Sequence, residues 1–435
     1  MPERPRVKDA FDPYTYTQGR WLHKDEERAE ARSLKFEFEA LLDVAIKCTI
    51  GAQRVVHYEK KEGGYNRVFL IRFDNESQVI ARLSTPLAGR LSLSVQSEVA
   101  TLQYINERTK VCAPRVIASS AWTGPGSVGA EYMITTVVPG KSLGDEWNSM
   151  NPLQHVECIK SLGGLAKDLC EANFPAFGSL YLNTRRHPFP TIALDDDYCN
   201  GPHCAPRYWR CGPDEPVTIP ESKLHQGPSI VTGVIDWQHT AVEPAYVSGS
   251  ETLDFGTELK LDEDLDNLHC DEKAAIIDDS ERCAEVWALL AFPCYKMGKA
   301  VALDPVYRHF LAASHFGWLT KEIELISLIN DIARLWNAIG MIGECPYKVS
   351  NEDRERVRMM TEDQNGRERM RSYLVRALGC QPDGWVDPEK WDETLPLYRN
   401  IYEKWIETSL NEREEGETEG EARAAADRIW PFDLR

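Results

Sequence analysis

Three short strand-like runs separated by two tight turns set the strongest limit on the fold of this chain. They lie in the stretch RVVHYEKKEGGYNRVFLIRFDNESQVIARLSTP, at residues 54–86, where Gly63-Gly64 and Asp74-Asn75 mark the turns. β-Branched and aromatic residues in short runs, bounded by such turn residues, are typical of antiparallel hairpins. The sequence therefore predicts an antiparallel meander over about residues 53–83.

Helical patterns surround this meander. The stretch SVQSEVATLQYINERT predicts a helix, because Val99, Leu102 and Ile105 recur on one face. RVIASSAW and EYMITTVVPG predict two more strands. Residues 22–50 predict a charged helix that becomes amphipathic, and a further helix follows from Pro152. Beyond a loop-rich insert at 182–222 and one more strand, helices are predicted at roughly 272–299, 303–317, 321–339, 352–380 and 388–412.

This order of elements predicts an α+β protein with two lobes, a small antiparallel-sheet lobe and a large helical lobe, with a cleft near residues 136–142. The tail is expected to be a solvated or frayed helix because it carries an acidic run. The expected divisions are an N-terminal extension over 1–49, a small lobe over 50–137, a helical lobe over 138–410 and an acidic tail over 411–435.

The charge and composition exclude several classes of partner. Fifty basic and 69 acidic residues give a net charge of −19, which argues against nucleic acid or an anionic membrane surface as the main partner. No apolar run approaches the roughly 18 residues of a membrane span. The first residues lack an apolar signal core and include Glu3, Asp9 and Asp12, which argues against a transit peptide. The 12 scattered cysteines fit reduced thiols, so composition favours the cytoplasm.

An acidic residue closes the strand predicted before residue 236. In KLHQGPSIVTGVIDWQHT, the apolar run of Ile230, Val231, Val234 and Ile235 predicts a buried strand that ends on Asp236. A carboxylate at the end of a buried strand is costly unless a charge answers it, and a metal ion is one such charge. Asp236 is therefore a candidate metal ligand.

Four further residues are candidates for phosphate chemistry, and each has a structural alternative. Gly63 and Gly64 would let backbone amides approach a phosphate, although a Gly-Gly hairpin is also a common turn. Arg82 on the third strand would need a carboxylate if it faced inward, and Glu98 on the next helix could supply one. Alternatively, Arg82 faces water at a sheet edge and Glu98 is a solvated helix acid.

An ordered set of motifs resembles a known family. GGYNRVFLIRF, VIARLSTP, SEVATLQYI, YMITTVVPGKSL, FGSLYL and GVIDWQHTAVEPAY follow one another as in the aminoglycoside-phosphotransferase-like family, which has a protein-kinase-like fold. DPYTYTQGRWL and DDYCNGPHCAPRYW resemble the branch of the altered-inheritance-of-mitochondria phosphotransferase-like proteins. The resemblance runs from about residue 11 to 247 and makes the mitochondrion a second expected location.

This resemblance implies an ATP-dependent, Mg-assisted phosphotransferase that acts on a hydroxyl of an unknown small molecule or other acceptor. It implies roles for several positions. Gly63 and Gly64 would cover the phosphates, Arg82 would pair with them and with Glu98, backbone groups from Thr136 to Val138 would contact adenine, and Asp236 would bind the metal.

The catalytic loop departs from the family pattern. The family carries His-x-Asp-x-x-x-x-Asn shortly before the position of Asp236, whereas only His225 stands in that stretch here. About a dozen residues are missing, which we place between His225 and Gln226, so no catalytic residue is assigned and ATP and Mg binding should be weak or lost. Asp195 and Asn200 have the Asp-x-x-x-x-Asn spacing, but an exposed acidic turn is their default interpretation.

Three explanations of the missing loop stay open. The gene model has omitted an exon or misplaced a splice site, the chain is a pseudokinase that binds a nucleotide or a partner, or it is a non-kinase helical interaction protein.

Overall fold

The structure is a computed structural model of the 435-residue chain. It describes residues 12–432, except 90, 121–126, 184–186, 207–223, 228–229, 243–269, 292–305, 307, 309, 312–321, 349 and 414–415, and for 224–233 it describes the backbone.

The described strands, in chain order, are β1 (Arg20–Trp21), β2 (Val55–Glu62), β3 (Asn66–Phe73), β4 (Gln78–Ser84), β5 (Val116–Ser120), β6 (Tyr132–Thr136), β7 (Lys141–Ser142), β8 (Ser179–Leu182), β9 (Ile192–Ala193), β10 (Tyr198–Gly201), β11 (Leu224–Gly227), β12 (Ile230–Val234) and β13 (Trp385–Val386). The described α-helices are α1 (Asp25–Ala31), α2 (Phe38–Cys48), α3 (Leu91–Arg108), α4 (Leu143–Trp147), α5 (Pro152–Glu171), α6 (Cys270–Ala291), α7 (Glu322–Leu335), α8 (Asn351–Leu378), α9 (Trp391–Asn411) and α10 (Glu419–Ile429).

A five-stranded antiparallel sheet forms the small lobe, in the order β2-β3-β4-β6-β5. Alternate residues of β4 are buried on one face, where Ala81 and Leu83 pack in a core shared with α2. Because successive side chains point to opposite faces of a strand, Arg82 lies on the other face of β4. The predicted α+β class, with an antiparallel sheet followed by helices, is confirmed, as is the meander over 53–83.

Helix α3 connects β4 to β5 and lies on the face of the sheet that carries Arg82. Val95, Val99 and Leu102 share a core with Met133 of β6 and with Trp237. Met133 is the register partner of Arg82 in the neighbouring strand. The helix predicted around Glu98 is therefore present and packs over the site.

The single helix predicted over 22–50 is wrong. The chain forms α1 and α2, and residues 32–37 between them are not helical. Leu34, Phe36 and Phe38 are buried at alternate positions against the sheet. This two-residue alternation favours extended backbone over a helix.

The first half of the insert that was predicted as a loop over 182–222 contains strands instead. β8, β9 and β10 form a three-stranded sheet that packs against α3, with Leu180 and Tyr198 buried beside Ala100.

The acidic run ends in α10, which is not frayed. Thr418 and Glu421 form a capping box at its start, and Ala422 and Ala426 are buried. The predicted helix at 303–317 lies mostly outside the described residues.

Candidate functional site

Arg82 and Glu98 form an ion pair between β4 and α3. The Arg82 side chain is 11% exposed and the Glu98 side chain is 2% exposed. A guanidinium taken out of water needs a carboxylate partner, and the alternation of β4 leaves Arg82 on the face covered by α3. The ion pair expected between these residues is present, so neither the edge-strand alternative for Arg82 nor the solvated alternative for Glu98 holds.

Asp236 approaches the same guanidinium from the segment that follows β12. Its Oδ1 lies 3.7 Å from an Arg82 guanidinium nitrogen, and its side chain is 27% exposed. Burial lowers the pKa of Arg82 to about 10, and the nearby Asp236 carboxylate opposes this shift. Three charges from distant parts of the sequence therefore meet at one point.

Asp236 does not end a strand, because β12 stops at Val234. Its backbone adopts the left-handed conformation, with φ 64°. A non-glycine residue pays a cost in this region, so the surrounding contacts must hold it there. The carboxylate position is therefore set by a fixed turn after β12.

The glycine turn, which we define as residues 63–66, is open to solvent. The Gly63 N–H donates to the Asn66 carbonyl over 2.9 Å and closes the turn between β2 and β3. A Cβ at Gly63 or Gly64 would meet nothing within 4 Å, and neither glycine has a positive φ. The fold therefore does not require glycine at these positions, whereas the close approach of a ligand to the backbone would.

Thr136 is the last residue of β6, and Val138 lies two residues beyond it. The Thr136 N–H donates to the Arg115 carbonyl at 3.0 Å, and its hydroxyl accepts from the Arg115 N–H at 2.9 Å. Val138 is buried. Since the Thr136 amide already has a partner, an amide of this segment that donates to adenine would be that of residue 137 or 138.

The predicted gap falls inside β11. β11 pairs with β12 on one side and with β7 on the other, and Gly227 is the register partner of Ile230. His225 and Gln226 therefore lie inside a strand with a neighbour on each side. The register of β11 against β12 shifts between His225 and Gln226, where we place the missing stretch, and that placement stays a prediction.

The alternative pair Asp195 and Asn200 belongs to the sheet on α3. Asp195 accepts hydrogen bonds from the Asp197 and Tyr198 amides and lies 3.6 Å from Arg108. Arg108 is ten residues beyond Glu98 on α3, which at 1.5 Å per residue is about 15 Å away. Asp195 is therefore a turn residue held at the far end of α3.

Residues next to Asp236 complete the site and were not predicted. Gln238 is buried and hydrogen-bonds Asn66 of the glycine turn, while Trp237 packs under α3. The available signal was a glutamine directly after the Asp-Trp pair. Within the described ranges no group of three or more His, Cys, Asp or Glu side chains is placed to hold a metal ion.

Comparisons with curated proteins find relatives over part of the chain. A subtelomeric hrmA-associated cluster protein of Aspergillus fumigatus is 34% identical over 152 residues, which cover 34% of this chain and 29% of that protein. The altered inheritance of mitochondria protein 9 of Candida tropicalis is 23% identical over 220 residues, 41% of this chain and 35% of that protein. The one from Debaryomyces hansenii is 20% identical over 276 residues, 50% and 43% respectively.

These matches span less than half the length of those relatives, and no protein-family model matches the chain. Solved structures also align along much of it. The macrolide 2'-phosphotransferase MphH of Brachybacterium faecium aligns with 72% of this chain and 99% of its own, at 15% identity and a TM-score of 0.32. The gentamicin complex of APH(2")-IIa aligns with 71% and 100%, at 10% identity and a TM-score of 0.33. The resemblance to the altered-inheritance-of-mitochondria branch is confirmed by its sequence relatives.

Proposed function

We propose that this chain, a sequence relative of the altered inheritance of mitochondria protein 9 proteins, binds a Mg-nucleotide and descends from ATP-dependent phosphotransferases. The nucleotide would occupy the cleft beside the five-stranded sheet. The chain as written would transfer phosphate very poorly, because it lacks the catalytic Asp and Asn. This is the function of a pseudokinase.

The contact of Arg82 with both Glu98 and Asp236 carries the proposal. The two pairings bring together β4, α3 and the turn after β12, and 154 positions separate Arg82 from Asp236. A cation held beside an acid at the mouth of a cleft is suited to a phosphate chain and its metal ion. The open glycine turn adds backbone amides from the same sheet.

The residues fit a metal ion only in part. Asp236 is the one carboxylate we assign to Mg²⁺, and its partial exposure leaves it accessible. Magnesium commonly uses one or two protein carboxylates together with water and substrate phosphates. When bound, the ion would neutralise phosphate charge, and Arg82 would hold the phosphates from the side of the sheet.

The acceptor and the location are part of the proposal. The acceptor in the ancestral reaction would be a hydroxyl of a small molecule. The altered inheritance of mitochondria protein 9 relatives are mitochondrial proteins, and this supports the same location for this chain. We propose the lobe divisions at 50–137 and 138–410 given above. In the described part of the chain, no helix has the length and apolar character needed to span a membrane.

Isothermal titration calorimetry with Mg-ADP tests the proposal. We expect binding by the wild-type chain, at least tenfold weaker binding by Asp236→Asn, and unchanged binding by Asp145→Asn, which alters an exposed acid on α4. Omitting Mg²⁺ should weaken binding to the wild type but should have little effect on Asp236→Asn. A wild-type chain that binds no adenine nucleotide at millimolar concentration would instead favour a non-kinase interaction protein.

A further inference from the structure

We propose that Gln238 is a positioning residue that fixes the spacing between Asp236 and the glycine turn through its hydrogen bond to Asn66. This inference rests on the proposed nucleotide-binding function. It assigns a role to a side chain outside the set of residues implied by the resemblance.

The Gln238 side chain joins two parts of the cleft by buried hydrogen bonds. Its Oε1 accepts from Asn66 Nδ2 at 2.6 Å, and its Nε2 lies 3.3 Å from Ser94 Oγ and 3.5 Å from Ser84 Oγ. Gln238 is 7% exposed and Ser94 is fully buried. A buried amide needs partners for both its donor and its acceptor, so these contacts define one orientation of the side chain.

On the sheet side, Asn66 connects the hydrogen bond to the glycine turn. Its carbonyl accepts the Gly63 N–H that closes the turn, and Ser84 is its cross-strand neighbour on β4. The Ser84 hydroxyl lies 3.5 Å from Asn66 Oδ1. A displacement of Asn66 would therefore move the backbone amides that face the phosphates.

On the other side, both neighbours of Gln238 are anchored. The Trp237 indole is buried and donates to the Val234 carbonyl at 2.9 Å. His239 Nε2 lies 2.9 Å from the Ala88 carbonyl, and its ring meets the edge of Tyr65 in the glycine turn. His239, like Asp236, has a positive φ. The short segment 236–239 is thus held by these contacts in a conformation that is costly for non-glycine residues.

Asp236 and the glycine turn would contact one phosphate chain at two different places. Asp236 would act on the metal ion and the glycine turn on the phosphate oxygens, so both contacts are made only if their separation is correct. Gln238 sets this separation without touching the nucleotide. Its loss should therefore weaken a ligand with phosphates and metal more than a ligand that has only the nucleoside.

The test uses the full chain and compares Mg-ADP with adenosine by calorimetry. Gln238→Met keeps the side-chain length and removes the hydrogen bonds. We expect about a tenfold rise in Kd for Mg-ADP, the usual effect of losing one hydrogen bond, because it is the bond to Asn66 that fixes the glycine turn. The Kd for adenosine should stay within twofold. Gln154→Met is the matched control, because it removes capping-box hydrogen bonds on α5 and should change neither constant.

A second variant tests the partner. Asn66→Ala should reproduce the loss for Mg-ADP, and the double variant should be no worse than either single one, because both single changes remove the same hydrogen bond between Asn66 and Gln238. Equal weakening of both ligands, or additive losses in the double variant, would overturn the proposal.

A readout without nucleotide separates this inference from the proposed function. Hydrogen exchange of the peptide covering residues 60–66 should be about tenfold faster in Gln238→Met than in the wild type and unchanged in Gln154→Met. If the wild type does not bind Mg-ADP, the proposed function fails while exchange still tests the hold of Gln238 on the turn. Unchanged exchange, or faster exchange with an unchanged Kd for Mg-ADP, would contradict a positioning role.

Discussion

At the scale of single residues, replacing both members of the buried Arg82–Glu98 pair should cost little stability but should weaken nucleotide binding. Removing only the cation leaves a carboxylate buried without its charge partner, which typically costs about 3–5 kcal/mol. We therefore expect Arg82→Met to lower the free energy of unfolding by this amount in urea titrations. The double variant Arg82→Met/Glu98→Leu should regain most of it, because apolar residues can replace a buried ion pair at little cost.

A measurement of nucleotide binding separates the loss of the phosphate-pairing cation from a loss of the fold. The double variant should be folded and yet bind Mg-ADP at least tenfold more weakly than the wild type, since the cation that pairs with phosphate is gone. A single Arg82→Met variant as stable as the wild type would show that Glu98 is not desolvated as its 2% exposure indicates.

A second prediction at this scale concerns Glu131, which precedes β6. Burial raises the pKa of its carboxyl from 4.5 to about 7, and the residue is 6% exposed. The folded chain therefore holds a proton that the unfolded chain releases between pH 4.5 and 7. This contribution to stability is full below pH 4.5 and is lost as the pH rises through about 7.

Glu131→Gln removes that dependence, because the amide does not ionise. We expect the variant to match the wild type near pH 4.5 and to exceed it by about 1–3 kcal/mol in urea unfolding at pH 8. Glu37→Gln, which alters an exposed glutamate before α2, is the control and should give a difference of less than about 0.5 kcal/mol at both pH values. A wild-type excess at pH 8 would show that the carboxylate has a partner.

At the scale of elements, the hairpin of β11 and β12 contains the point at which a catalytic loop could be restored. The register between the two strands shifts between His225 and Gln226, so β11 is irregular at the predicted gap. We expect a His-x-Asp-x-x-x-x-Asn loop placed between His225 and Gln226 to raise ATP turnover by about 10²–10⁴, the usual contribution of a positioned base.

The same loop with its Asp and Asn replaced by Ala should give no more turnover than the parent chain. Phosphate release from Mg-ATP, measured for both insertions and for the parent chain, makes the comparison. Brisk turnover by the parent chain that Asp236→Ala abolishes would show that another residue supplies the base, and the missing loop would then not explain inactivity.

The elements that sequence predicts well are those with a clear period. The meander at 53–83 and the helix around Glu98 follow from alternation and from apolar residues on one face. The helix predicted over 22–50 fails because its charged residues obscure the alternation of Leu34, Phe36 and Phe38. β9 and β10 are too short, at two and four residues, to give a periodic signal.

The same reasoning explains the candidate site. Arg82, Glu98 and Asp236 were predicted from residue type and order, because a buried charge demands a partner. Gln238 was missed, since a glutamine in a turn is usually solvated and only the tertiary fold brings Asn66 within reach of it. The irregular register of β11 at the predicted gap was not predicted, because the sequence alone does not fix strand register.

At the scale of the whole molecule, the N-terminal segment ties the small lobe to the last helices. β1 pairs with β13, and Leu22 is buried in one core with Trp391 and Trp430. A few residues later, Phe36 and Phe38 are buried in the core of the five-stranded sheet. The segment from 20 to 48 therefore contacts both regions, so its attachment limits how far they can separate.

A buried cluster of charges fixes the start of this segment on the sheet. Lys60, Glu62 and Arg67 have side chains that are 2%, 1% and 1% exposed, and Glu62 pairs with both cations. Lys60 donates to the carbonyls of Asp12 and Thr15, at 3.0 and 2.8 Å. Arg67 donates to the carbonyls of residues 13 and 14, and Glu62 accepts from the Thr17 N–H. One carboxylate thus orients two cations that hold residues 12–17.

Glu62→Gln should release this segment, because it leaves two buried cations without their shared carboxylate. We expect a loss of about 3–5 kcal/mol in the free energy of unfolding and faster proteolytic cleavage within residues 12–17. Glu59→Gln is the matched control on the same strand, since its exposed pair with Lys61 should contribute no more than about 1 kcal/mol. Equal stabilities and cleavage rates for the two variants would show that the buried cluster does not hold the segment, and other contacts of residues 20–38, such as the pairing of β1 with β13, would then link the lobes.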